Sequence, residues 1–319
     1  MTTDLTLPSS STLPAPVASM GDRAAYRFLE FFTAQIRNPH TRRAYVKAVA
    51  DFCRWIEERG IRSIIDVNSF HIAAYVELLG QEHAAPTVKQ RLAAIRMMFD
   101  WLATGGVLPF NPASAVRGPR HSVRRGKTPV LAPKEARVLL DSIDVSTPVG
   151  LRDRALIGLM VYSFARVGAA LAMTVEDVYF QNRRLWVRLN EKGGKRHEMP
   201  CHHNLEEYLT AYIEGCGLAA EPKKPLFRTI GRGTGKLTAT ALPQANAYAM
   251  VQRRAGNAEI ATRICNHTFR ATGITAYLKN GGTLERAANM ANHASTRTTQ
   301  LYDRRSDDIT LDEVERVLI

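Results

Sequence analysis

The chain has 319 residues, 45% of them hydrophobic, which is enough for two folded units and excludes a disordered polymer. Its four cysteines (Cys53, Cys201, Cys216 and Cys265) have no C-x-x-C spacing and read as reduced thiols of a cytoplasmic protein, which excludes a disulfide scaffold. A formal net charge of +13 points to a polyanionic partner, nucleic acid before an anionic membrane surface, and no apolar run approaches the roughly 20 residues that span a bilayer.

Residues 1–20 are rich in Ser, Thr and Pro and carry no Lys or Arg. They lack the basic start and apolar block of a secretory signal, and the expectation is a disordered tail. Four helices follow within residues 21–116. Asp22 to Ile36 sets Ala25, Phe28, Leu29 and Phe32 on one side, and Thr41 to Arg59 sets Tyr45, Val49, Phe52 and Ile56 on a stripe that Gly60 ends. A third helix is expected near Ser69 to Leu79. A fourth runs from Pro86 to Ala103, with Val88, Leu92, Ile95, Phe99 and Leu102 facing a core and Gly105-Gly106 as its stop. Arg42, Arg43, Lys47, Lys89, Arg91 and Arg96 lie off these stripes, so they are candidate contacts to DNA phosphates.

Residues 117–127 read as a basic linker: Arg117, Arg120, Arg124, Arg125 and Lys127 with no acid, two glycines and a proline. A second unit spans 128–319. It opens with an amphipathic helix, Ala132 to Ile143, and a nearly continuous apolar one, Gly150 to Ser163, which must be buried. Arg166 follows directly and needs an anionic partner, from a ligand or from an acid such as Glu176 or Asp177. Arg184 to Asn190 alternates as a strand, Glu191 to Lys195 turns, and Arg196 to Pro200 returns, so that Lys192 and Lys195 sit at the tip of a hairpin. Further on, helices are expected over Asn204 to Gly215 and Ala241 to Ala255, with a short edge at Pro225 to Phe227. Gly231 to Gly235 forms a surface loop that matches no phosphate-loop pattern. Thr310 to Ile319 carries a short stripe, Leu311, Val314 and Leu318, that must dock on its own unit or on a neighbour. Cys201-His202-His203 lacks tetrahedral zinc spacing, and neither metal nor cofactor is expected.

The chemistry concentrates between His267 and Tyr302. His267 and Arg270 are three apart in a helical segment and share a face; Gly281-Gly282 breaks the chain, a helix restarts over Thr283 to Ala291, and His293 and Tyr302 follow nine residues apart. A tyrosine phenol has a free pKa of about 10, so as a nucleophile it needs proton acceptors and cations around it.

H-x-x-R, a His some two dozen residues on and a Tyr nine later resembles the signature of the tyrosine recombinases of the phage-integrase family. The resemblance extends to an upstream arginine, Arg166, and a hairpin lysine, and it covers nearly the whole chain after the tail. It implies a mainly α fold with a small β-sheet, built as a two-domain clamp of a helical core-binding domain and an α+β catalytic domain. It further implies Tyr302 as nucleophile, Arg166 and Arg270 on the non-bridging oxygens, His267 as general base, a hairpin lysine as general acid and His293 as a donor to the phosphate. Lys192 matches the usual lysine position, with Lys195 close by. The expected partner is duplex DNA, cut and rejoined through a 3′-phosphotyrosine link and a Holliday junction by a homotetramer whose C-terminal helix packs into a neighbour. Two departures stand out. Ala169 occupies a place, three after Arg166, where the family usually carries an acid, and Glu191 replaces the first glycine of the lysine turn. Type IB topoisomerase-like relaxation and a catalytically impaired DNA-binding accessory protein are the alternatives.

Overall fold

The computed structural model describes residues 13–122, 126–191 and 194–303. The chain divides into two compact units, Met1–Ser122 and Val123–Ile319. No helix among the described residues is long and apolar enough to cross a membrane.

The first unit is all helical: α1 (Ala15–Ala18), α2 (Asp22–Glu30) continued by a π-turn over Phe31–Gln35, α3 (Pro39–Glu57), α4 (Ser69–Glu82) and α5 (Ala85–Thr104). Local chemistry fixes the ends. The Asn38 side chain accepts from the amides of His40 and Thr41 at the start of α3, with Pro39 as its first residue, and Asn68 does the same for α4. The expected stripes form the core, where the ring of Phe52 meets Trp55, Tyr75 and Phe99. The expected tail is corrected at its end: Ala15–Ala18 is helical and Val17 is fully buried against this core. The signal is faint, one apolar side chain beside two prolines that pre-set the backbone within a polar stretch.

The second unit contains α6 (Pro133–Asp141), α7 (Pro148–Tyr162), α8 (Val167–Leu171), the strands β1 (Val178–Gln181), β2 (Arg184–Glu191) and β3 (Lys195–Pro200), α9 (His203–Gly215), β4 (Arg228–Ile230), β5 (Leu237–Ala241), α10 (Gln244–Asn257), α11 (Asn266–Lys279), α12 (Leu284–Met290) and α13 (Thr296–Gln300). The expected hairpin is the β2–β3 pair of an antiparallel sheet ordered β1-β2-β3, with Glu191 opposite Lys195. A second hairpin, β4–β5, closes around the Gly231 to Gly235 loop. The strand over Leu237–Ala241 corrects the expected helix start at Ala241: α10 begins only after Pro243. The short edge is one bridge from Pro225 to Thr174, and its strand starts at Arg228.

Helix α7 is the spine, packed against α9 and α11. Its burial forces two close approaches. A Cβ on Gly273 of α11 would lie 2.0 Å from the Val161 carbonyl oxygen, and one on Gly158 would lie 2.8 Å from the Tyr208 ring. The helix is not wholly apolar, as its pattern suggested. Arg152 and Asp153 are both buried, and Asp153 accepts from Arg152, Arg253 and Arg254, tying α7 to α10.

Candidate active site

The end of α7 sets the first cation. Phe164 has φ 54°, a region that a bulky side chain rarely adopts. The turn it makes aims its carbonyl at α11 and leaves Arg166 as the N-cap of α8. The partner of Arg166 is a correction to the expected one. Its Nη1 donates to the carboxylate of Glu191, which the sheet brings from 25 residues away, and not to Glu176 or Asp177. Glu176 is exposed, while Asp177 accepts from Thr174 and lies 3.6 Å from Arg188. The side chain of Arg166 stays 32% exposed. Its Nε and Nη2, the side-on edge of the fork, have no protein partner among the described residues.

Arg270 comes from α11 and is only 2% exposed. Its Nη1 donates to the Phe164 carbonyl, and its Nη2 donates to the Ala291 carbonyl at 2.5 Å and to Nε2 of His293 at 2.8 Å. The Tyr302 phenol lies near the same guanidinium. Burial and the nearby Arg166 cation lower the pKa of Arg270 to about 10, and Glu191 and Tyr302 act the other way, so it remains a cation at neutral pH. His293 follows Asn292, another positive-φ residue at 46°. Its Nδ1 lies 2.8 Å from the Thr299 hydroxyl, and its ring stacks on that of Tyr302 with centroids 5.9 Å apart and planes 9° apart.

Tyr302 is held within its own chain. Thr275 of α11 donates from its hydroxyl to the Tyr302 carbonyl at 2.8 Å, and the Gly126 amide donates to the Leu301 carbonyl at 3.0 Å. The Tyr302 side chain also packs on a small cluster of Phe164, Ile274, Leu278, Ala287 and Ala291. His267 lies one turn before Arg270 on α11, exposed, beside a recess lined by Gln244, Tyr248 and Cys265. Desolvation, then Arg270 and Arg166, hold its pKa below the ordinary imidazole value. The same three causes take His293 down to about 4.

A neutral His293 has one proton. Arg270 has no lone pair to offer, so Nε2 accepts from it and Nδ1–H donates to Thr299. Both ring nitrogens are engaged within the protein, Nε2 with Arg270 and Nδ1 with Thr299. Lys192 lies outside the described residues; Lys195 opens β3 and is exposed.

The expected DNA contacts divide. Arg43, Lys47 and Lys89 are exposed, with Lys47 3.3 Å from Asp51. Arg117 and Arg120 are exposed as well, and Arg124 and Arg125 lie outside the described residues. Three others also bond within the first unit. Arg42 donates from Nε and Nη2 to the Ile36 carbonyl, Arg91 donates to Asp51 at 2.9 Å, and Arg96 donates to the carbonyls of Ala113 and Val116. The Thr310 to Ile319 stripe lies outside the described residues.

Sequence reasoning did not single out Glu191 as the partner of Arg166, nor Thr299, Thr275 and the Phe164 carbonyl. Only Glu191 left a signal, as an acid in a turn expected to start with glycine.

Several known proteins share this arrangement of chain. The curated tyrosine recombinase XerC of Myxococcus xanthus is 26% identical over 299 residues, covering 91% of this chain and 95% of its own. Among solved structures, XerH recombinase bound to a palindromic difH substrate in a post-cleavage complex superposes with a TM-score of 0.72 at 18% identity, over 96% of this chain and 98% of that one. A lambda integrase tetramer bound to a Holliday junction superposes with a TM-score of 0.66 at 18% identity, over 90% and 79%. At these identities the superpositions establish the fold. The family model for the phage integrase N-terminal SAM-like domain matches residues 26–106, within the helical first unit. The model of the phage integrase family matches residues 129–308, more than half of the chain and all of the cluster from Arg166 to Tyr302, and the chain belongs to that family.

Proposed function

We propose that this chain is a site-specific tyrosine recombinase that cuts and rejoins duplex DNA through a 3′-phosphotyrosine intermediate. The carrying observation is the convergence of Arg270, His293 and Tyr302: Arg270 lies 2.8 Å from His293, whose ring stacks on that of Tyr302, with Arg166 near enough for the two cations to repel. In the reaction the Tyr302 oxygen attacks phosphorus in line; the P–O(Tyr) bond forms and the P–O5′ bond breaks. His267, whose pKa partial desolvation and the two guanidinium groups hold below the ordinary imidazole value, accepts the phenol proton. The lysine hairpin, through Lys192 or Lys195, protonates the departing 5′-oxygen. The free Nε–Nη2 edge of Arg166 takes two phosphate oxygens, and Arg270 places charge beside the attacking oxygen. The new phosphodiester conserves the bond energy, so a 5′-hydroxyl reverses the step without another energy source.

The first unit serves as the core-binding domain and the second, from residue 128, as the catalytic domain. Arg43, Lys47, Lys89, Arg117, Arg120, Arg124, Arg125 and Lys195 meet the phosphate backbone. By the same reading a homotetramer exchanges strands in pairs through a Holliday junction in the cytoplasm, with the C-terminal segment reaching a neighbour; lambda integrase, solved as a tetramer bound to such a junction, supports the tetramer.

The test is a nicked suicide substrate, its sequence taken from DNA recovered with the protein. Wild type traps a covalent protein–DNA adduct and Tyr302→Phe traps none; a full yield of adduct from Tyr302→Phe sinks the reading. Arg270→Lys binds the same duplex but forms adduct about 100- to 1000-fold more slowly, the scale for losing one preorganised oxyanion donor. An accessory protein binds DNA and gives no adduct at all.

A further inference from the structure

Arg166 has one carboxylate partner among the described residues, Glu191, and it is neither local in sequence nor exposed. The position three after Arg166 is Ala169, whose methyl group is buried among apolar neighbours and holds nothing. Glu191 ends β2, is 5% exposed, and accepts the Gly194 amide on its own carbonyl at 3.2 Å as the chain turns toward Lys195. The contact is one-sided. Nη1 of Arg166 is pinned from the protein side, and Nε and Nη2 are left for a ligand. A buried carboxylate also needs its cation: without Arg166, Glu191 would be an uncompensated charge, so each fixes the other.

We propose that Glu191 is the positioning residue of the active centre. It supplies the carboxylate that orients Arg166 toward the phosphate, and it fastens the end of the β2–β3 hairpin to that arginine. The proposal rests on the reading of this cluster as a phosphodiester-transfer site, and it assigns to the hairpin a function that Ala169 leaves unfilled. Since Arg166 and the hairpin are joined by one ion pair, a change at residue 191 disturbs both together.

Two measurements test it. In single-turnover cleavage of the nicked duplex, Glu191→Gln and Glu191→Ala keep the DNA Kd within about threefold of wild type. They form adduct more slowly, by up to about 100-fold, the scale of an ångström-sized misplacement. Glu191→Asp, which keeps the charge, recovers part of that loss. A purely structural role would lower the melting temperature of Glu191→Gln and Glu191→Asp alike and would show no such ranking. Adduct formation by Glu191→Ala at or above the wild-type rate would make Glu191 dispensable or a restraint, and would overturn the proposal. Hydrogen exchange of the amides in Arg184–Glu191 and Lys195–Pro200 reads the fastening without any DNA. It accelerates in Glu191→Ala if the proposal holds, and unchanged protection overturns it. If wild type itself gives no adduct, the functional reading falls, while the exchange experiment still decides whether Glu191 holds the hairpin.

Discussion

Nε2 of His293 lies 2.8 Å from Nη2 of Arg270, and this contact fixes the charge of the imidazole. The guanidinium is always a donor, so the histidine must be the acceptor and must be neutral. Its pKa of about 4 lies below the ordinary 6.5, with burial as the first cause and the two arginines next. The unfolded chain therefore binds this proton first as pH falls. Stability contributed by neutral His293 is fully present above about 6.5 and is lost progressively as pH falls toward about 4. His267, shifted in the same direction, adds to the same slope. The melting temperature of the wild type should drop between pH 7 and pH 5. The drop should be smaller in His293→Gln, which can still accept from Arg270 and does not titrate. Equal drops in the two proteins would contradict the assignment, as would a nitrogen NMR spectrum at pH 6 showing His293 doubly protonated.

Two basic residues on α5, seven positions apart, should behave in opposite ways. Lys89 is exposed, whereas Arg96 holds the carbonyls of Ala113 and Val116. Lys89→Ala should leave stability nearly unchanged and should lower the slope of log affinity against log salt by about one phosphate's worth. Arg96→Ala strands two poorly exposed carbonyls, at a cost of about 1–3 kcal/mol for such a group left unsatisfied, and should lower the urea midpoint. Equal urea midpoints for the two variants would refute the division of labour.

The contact geometry around α7 explains how precisely α11 must sit. A Cβ added at Gly273 meets the Val161 carbonyl oxygen at 2.0 Å and the Phe164 ring at 2.8 Å. Backbone cannot yield cheaply, so Gly273→Ala must push α11 away from α7 at a cost of about 1–3 kcal/mol or more. Arg270 is one turn away and donates to the Phe164 carbonyl, so adduct formation should fall with it. Gly168→Ala is the control. Nothing lies within 4 Å of its Cβ and its φ is ordinary, so it should be neutral or slightly stabilising. Thermal melts of the two variants check this, and a Gly273→Ala protein as stable as wild type would refute the packing argument.

Much of this site was legible in the sequence, and the gaps have physical causes. Arg270, His293 and Tyr302 are legible because they lie within 33 residues and meet through α11, α12, α13 and the turns between them, so spacing nearly determines their geometry. Helices α3 and α5 were legible because each buries one stripe against the other. The partner of Arg166 was not. Glu176 and Asp177 are the acids close in sequence, whereas antiparallel pairing carries Glu191 across the sheet. Phe164 and Asn292 adopt positive φ without a glycine to announce it. Their strain is sustained by the tertiary contacts they make, and those are not local information. Strand β5 was missed for a different reason: Leu237–Ala241 is half exposed and made largely of Thr and Ala, so its alternation carries little apolar signal.

The three arginines around buried Asp153 give the largest stability prediction. Asp153 is fully buried on α7 and accepts from Arg152 at 2.7 Å, from Arg253 at 3.1 Å and from Arg254 at 2.8 Å. Arg152 also donates to the Arg228 carbonyl, so the same network reaches the β4–β5 hairpin. With the carboxylate present the local charge is partly balanced. Asp153→Asn keeps the shape and removes that balance, leaving Arg152 and Arg254 as weakly solvated cations next to one another. Breaking one side of a buried pair costs about 3–5 kcal/mol, far more than the near-zero net value of a surface pair. By contrast, Lys47→Ala, which removes only an exposed partner of Asp51, should cost less than about 1 kcal/mol. Urea titrations of the two variants should separate by several kcal/mol. The loss in Asp153→Asn should be milder at high salt, where ions screen the newly unpaired guanidinium groups that reach solvent through Arg253. If Asp153→Asn unfolded within 1 kcal/mol of wild type, the network would be contributing geometry without net stability, and α7 and α10 would have to be held by their apolar contacts alone.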